Sequence, residues 1–125
     1  MFDKIRNAAG LAGLVKDLPR IRARMEEVKR DLERRTVDAE AGGGAVRAVA
    51  NGKLRILSVE FNRAMLSGLV GTGREEDLQL AEDLIAAAVN AALERAQEMV
   101  AAELHAAAEE LNIPMPPGGI AELLA

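Results

Sequence analysis

The sequence contains no cysteine, tryptophan or tyrosine, a single histidine, four prolines and two phenylalanines. The lack of cysteine excludes disulfides and thiolate metal sites, and makes a reducing cytoplasm the simplest compartment. With Phe2 and Phe61 as the only aromatic residues, there is little to stack against unpaired bases, which argues against single-strand binding of the OB or RRM type. No apolar run approaches the roughly 18 residues of a membrane span. In the opening stretch MFDKIRNAAGLAGLVKDL, Asp3 and Asp17 argue against a signal peptide.

What is present is aliphatic and charged. Hydrophobic residues make up 50% of the 125 positions and charged residues 29%, the composition of a folded soluble protein. We expect one domain over residues 1–112 and a flexible tail over 113–125, where prolines and glycines end helical structure. The core must be built from Leu, Ile, Val, Met and Ala. Alanine-lined faces bury little area, at about 25 cal/mol per Å², so pairing with a second copy is an expected source of burial. The net charge of −4 is unevenly distributed: residues 1–63 hold 14 Lys/Arg against 9 Asp/Glu, whereas residues 75–125 hold one Arg against 11 Asp/Glu. A local basic surface is possible near the start of the chain and is not expected near its end.

Leu11, Leu14, Leu18, Ile21, Met25, Val28 and Leu32 recur at spacings of 3 and 4, a heptad seam. Pro19 interrupts it. Either Asp17 caps a helix with Pro19 in its first turn, or a helix from about residue 5 is kinked; the reading taken is a main helix over 17–35. Residues 35–41 alternate as a half-buried strand. Gly42–Gly44 then supply positive φ angles for a turn, and Val46 and Val49 lie in opposite phases of a second strand. Asn51-Gly52 predicts a type I′ hairpin. In the third strand Leu54 and Ile56 share one phase, while Leu57, Val59 and Phe61 share the other. That switch predicts a β-bulge, or burial on both faces. Residues 62–74 read as a loop with Met65 and Leu66 turned inwards. Thr72 and Glu75 match a capping box opening a helix to about Leu111, roughly 54 Å long at 1.5 Å per residue. Such a helix must project or pack on a partner. The expected class is α+β, in the order α-β-β-β-α, with a small antiparallel three-stranded meander and a long projecting C-terminal helix.

Catalytic chemistry finds few candidates, and no enzymatic activity is expected. His105 has neither a cysteine nor a second histidine to complete a metal site. The triglycine precedes a strand rather than a helix and no Lys-Ser/Thr follows, so it fits neither dinucleotide nor P-loop contexts. No cofactor, metal or small-molecule substrate is expected. The cations are more suggestive. Lys16, Arg20, Arg22, Arg24, Lys29, Arg30, Arg34 and Arg35 crowd the first helix, and clustered Lys/Arg is what phosphate neutralisation requires. The competing reading pairs them with Glu26, Glu27, Asp31 and Glu33.

The stretches AGGGAVRAVANGKLRILSVEFN and LAEDLIAAAVNAALERAQE, with the MF start and the PMPPG tail, resemble the YbaB/EbfC family of nucleoid-associated proteins. Asn62-Arg63 stands where that family usually has Asp-Pro, and the 64–74 segment is longer. The resemblance implies a tweezers-like homodimer whose sheets join across the two-fold, with Val37, Val46, Val49, Leu54, Ile56, Val59 and Phe61 at the dimer interface. It implies binding of duplex DNA with little sequence preference, nucleoid organisation in the bacterial cytoplasm, and partners among recombination or replication proteins. The eight cations of the first helix would carry that binding by backbone electrostatics. The alternative is a homodimeric protein–protein scaffold that binds DNA weakly or not at all.

Overall fold

A computed structural model describes the backbone of residues 2–112 and the side chains of residues 16–112. The elements are α1 (Phe2–Arg34), β1 (Thr36–Ala41), β2 (Val46–Asn51), β3 (Ile56–Phe61), α2 (Arg63–Val70) and α3 (Glu75–Glu110), an α+β fold in the anticipated strand order. The proposed tail lies outside the described residues. The described residues form two compact units, 2–30 with 101–112, and 31–100.

In the first unit the bulk of α1 meets the end of α3. Val28, Ala107, Ala108 and Leu111 are buried there. Pro19 lies inside one continuous helix rather than at its start. An interior proline costs a helix about 3 kcal/mol. Asn112, at φ 56°, ends α3 in the left-handed conformation that asparagine tolerates better than most residues.

The second unit holds the sheet, in the order β1-β2-β3 and antiparallel throughout. Val37, Ala39 and Ala41 lie opposite Ala50, Ala48 and Val46, so one face of the sheet is apolar and almost entirely small. Ala39, Val46, Ala48 and Ala50 share a buried cluster with Ala88, Ala92 and Ala96 of α3. The anticipated bulge is present: Val49 pairs with Ser58 but Ala50 pairs with Ile56. Leu57 is therefore the extra residue. It returns Ile56 to the face used by Val59, and both pack against the cluster. The opposite face carries Arg47, whose guanidinium joins Asp38 (3.0 Å) and Glu60 (2.5 Å) across all three strands.

The two turns differ in kind. Gly42, Gly43 and Gly44 all have positive φ, reaching 103° at Gly44, a conformation essentially closed to residues with a Cβ. The Asn51-Gly52 turn is not type I′. Gly52 has an ordinary φ, and Leu54 adopts the left-handed one, at 61°, closing a three-residue loop. The reason lies in what Asn51 and Gly52 bind. The Asn51 carboxamide oxygen accepts from the amides of Lys53 and Arg55, and its Nδ2 donates to Glu33 O. The Gly52 amide donates to Leu32 O at 2.8 Å. The hairpin thus caps two carbonyls at the end of α1 that the helix itself leaves without donors.

Residues 63–70 form a helix where a loop was expected. Asn62 is its N-cap, accepting from the Met65 amide; Leu66 is half-buried while Met65 is largely exposed. The Thr72–Glu75 capping box is also replaced. Thr72 donates its amide (2.9 Å) and its hydroxyl to Asp77. These bonds, the hydroxyl's first, hold the Asp77 carboxyl below its ordinary range. Its negative charge also suits the N-terminal turn of a helix.

Candidate functional site

The cations expected to face a polyanion fall into both units. In the first, Lys16, Arg20, Arg22, Lys29 and Arg30 are exposed. At 3.6 residues per turn, Lys16, Arg20 and Arg30 lie within about 80° of one another around α1, and Arg22 and Lys29 within about 20°. Both stripes avoid the side occupied by Val28. Two of these cations have acidic partners, Arg20 with Asp17 (3.8 Å) and Lys29 with Glu26 (3.6 Å). All four side chains are more than half exposed, and such pairs contribute about 0–1 kcal/mol. A phosphate can displace them at little cost.

Arg24 behaves differently. Its Nε donates to Glu110 at 3.0 Å and its Nη1 to Glu27 at 3.2 Å, and its side chain is only 26% exposed. The bond to Glu110, then the charge of that residue, raises an already high guanidinium pKa. Here the ion-pair reading of the sequence applies: Arg24 ties α1 to the end of α3.

In the second unit Arg34 and Arg35 are exposed at the end of α1. Arg34 has no acidic partner among the described residues. Arg47 is committed to Asp38 and Glu60, and Arg95 donates to the Asp38 carbonyl at 2.5 Å. The exposed carboxylates Glu82, Asp83, Glu94 and Glu98 give the outward side of α3 the opposite sign.

The expected interface residues occupy three environments. Val46 is fully enclosed within the chain, and Val37, Ile56 and Val59 are partly covered by the cluster around it. Val49 is half-buried on the Arg47 face. Leu54 and Phe61 are 44% and 48% exposed, and the bulged Leu57, which was not among the expected interface residues, is 54% exposed.

His105 Nε2 meets Glu109 Oε1 at 3.0 Å one turn along α3. An open recess of about 420 Å³ beside Val70, Leu78 and Ala81 includes Asp77, whose carboxylate already receives the Thr72 donors. Among the described residues no group of three or more His, Asp or Glu side chains is arranged to hold a metal ion, and no helix is long and apolar enough to cross a membrane.

Residues 7–111 match the YbaB/EbfC DNA-binding family. The chain belongs to that family. It is 37% identical over 101 residues to the nucleoid-associated protein Teth514_0034 of Thermoanaerobacter sp. (strain X514), spanning 81% of this chain and 85% of that one. A nucleoid-associated protein of Syntrophobacter fumaroxidans is 43% identical over 100 residues, 80% of this chain and 82% of that one. The crystal structure of HP0035 from Helicobacter pylori matches with a TM-score of 0.49 at 16% identity, covering 65% and 86% of the two chains. The YbaB/EbfC match takes in the α1 cations, the sheet and all of α3.

Proposed function

We propose that this chain binds duplex DNA in the bacterial nucleoid as a homodimer, through phosphate contacts made largely by α1. The observation that carries the proposal is the solvent side of α1, where Lys16, Arg20, Arg22, Lys29 and Arg30 are exposed and at most weakly paired. Membership of a DNA-binding family supports the choice of ligand. With three or so phosphate contacts per protomer, the log–log dependence of affinity on salt for a random-sequence duplex should have a slope of roughly −4 to −6. Lys16→Glu/Arg20→Glu/Arg30→Glu should abolish binding at 100 mM salt with helicity retained. A slope near zero, or no binding at 50 mM salt, would leave the protein–protein scaffold as the better reading.

Pairing of two copies is supported by the edge of β3. Asn62 N donates to Ala45 O, and in an antiparallel ladder this alternation turns the amides and carbonyls of Val59 and Phe61 away from β2. Beside that edge Leu57 and Phe61 are about half exposed. Sedimentation should give a dimer at micromolar concentration, and Leu57→Glu/Phe61→Glu should give a folded monomer. A monomeric wild type would overturn this part of the reading.

A further inference from the structure

We infer that the tip of the β2–β3 hairpin and the end of α1 together form a second phosphate-contact site, with Lys53 and Arg55 as its principal cations and Arg34 beside them. The inference rests on the duplex-binding reading above and extends it to residues away from the α1 stripe. The hairpin is bound to the helix end by three interactions: Gly52 N to Leu32 O (2.8 Å), Asn51 Nδ2 to Glu33 O (3.3 Å) and Lys53 Nζ to Glu33 Oε1 (3.3 Å). They bring Lys53 and Arg55 to the same end of the helix as Arg34 and Arg35. Lys53, Arg55 and Arg34 are all exposed, and Glu33 is paired with Lys53 alone among them.

A helix C-terminus ordinarily repels anions, because its last carbonyls carry partial negative charge. Here the amide of Gly52 and the carboxamide of Asn51 take the carbonyls of Leu32 and Glu33, which reduces that repulsion. The hairpin backbone is also fixed before any ligand arrives, since Asn51 Oδ1 accepts from the amides of both Lys53 and Arg55. Arg55 has no ion pair among the described residues. Lys53 has one, with Glu33, and both side chains are about half exposed. That exposed pair is weak, and Glu33 acts as an internal competitor that a phosphate replaces.

A purely structural role, in which the cations balance the helix dipole, makes different predictions. Titration of a 30-base-pair random duplex by Lys53→Ala/Arg55→Ala should show the salt slope reduced by about 2 per protomer and affinity at 100 mM salt lowered roughly tenfold or more, with thermal midpoint unchanged. Arg55→Lys should retain most of the affinity, and Glu33→Gln should raise affinity about two- to threefold by freeing Lys53. Wild-type slope and affinity in the double alanine variant would overturn this site while the α1 reading stands. A lowered midpoint with an unchanged slope would assign the residues to stability alone and overturn it too. Absence of wild-type binding at 50 mM salt would overturn both readings.

Discussion

Replacing Gly52 by alanine should lower the thermal midpoint by roughly 10 °C. A Cβ at position 52 would lie 2.4 Å from Leu32 O and 2.6 Å from Leu32 Cβ. The obstacle is the helix backbone, which cannot rotate away as a flexible side chain can. Relief requires lifting the hairpin off α1, which lengthens the Gly52–Leu32 bond and disturbs the three bonds of the buried Asn51 carboxamide. We estimate about 3 kcal/mol, the upper part of the range for overpacking, which for a chain of this size corresponds to several degrees per kcal/mol. Gly43→Ala provides the contrast. Its φ is 68° but its Cβ would meet only Met65 Cε at 3.7 Å, so the cost is the left-handed backbone alone, about 1–2 kcal/mol. Differential scanning calorimetry of the two variants distinguishes close approach from conformational strain. Equal midpoints would show that the hairpin is not held against α1 as described.

Ala92→Leu should be comparably damaging, for the opposite structural reason. Ala88, Ala92 and Ala96 have no exposed surface, and across from them Ala48 and Ala50 have none either. A layer built from methyl groups brings helix and sheet backbones close together, and a leucine has no void to enter. The strain falls on two backbones rather than on adaptable side chains, so about 3 kcal/mol is expected. With an m-value of about 1–3 kcal/mol per molar in urea, the unfolding midpoint should fall by 1 M or more. Ala92→Ser, which adds a single oxygen and can bond within the helix, should cost roughly 1 kcal/mol. A wild-type midpoint for Ala92→Leu would mean that the two layers stand further apart than their burial implies.

Much of this architecture was legible in the residues because local pattern and tertiary burial agree. The alternation of 35–41, the triglycine, the phase switch at Leu57 and the stripe of α3 each require one conformation, and the packed unit supplies it. The failures occurred where a partner distant in sequence decides. Asn51-Gly52 carries the local chemistry of a type I′ turn, but Leu32 and Glu33 claim its donors, and the positive φ moves to Leu54. Pro19 carries the local chemistry of a helix start, yet it lies inside α1. Asn62 was the missed signal for α2, an N-cap three residues before Met65, in a segment whose leucines and glycines resemble a loop. Among the cations, composition separated basic from acidic regions but could not distinguish Arg24, held by Glu110 from 86 residues away, from Arg30, which has no ion pair among the described residues.

The hydrogen bond from Arg95 to the carbonyl of Asp38 has a consequence for growth of the sheet. Asp38 lies opposite Val49, a position whose carbonyl points away from β2 and would otherwise receive the amide of an arriving strand. With that acceptor taken at the middle of β1, a strand arriving on that side would lose a central ladder hydrogen bond, which favours strand addition on the β3 side. A sheet that can be extended on one side only has a natural end point. If two β3 edges pair as proposed, each satisfies the other, and association through those strands would stop at a pair rather than propagate into a fibre.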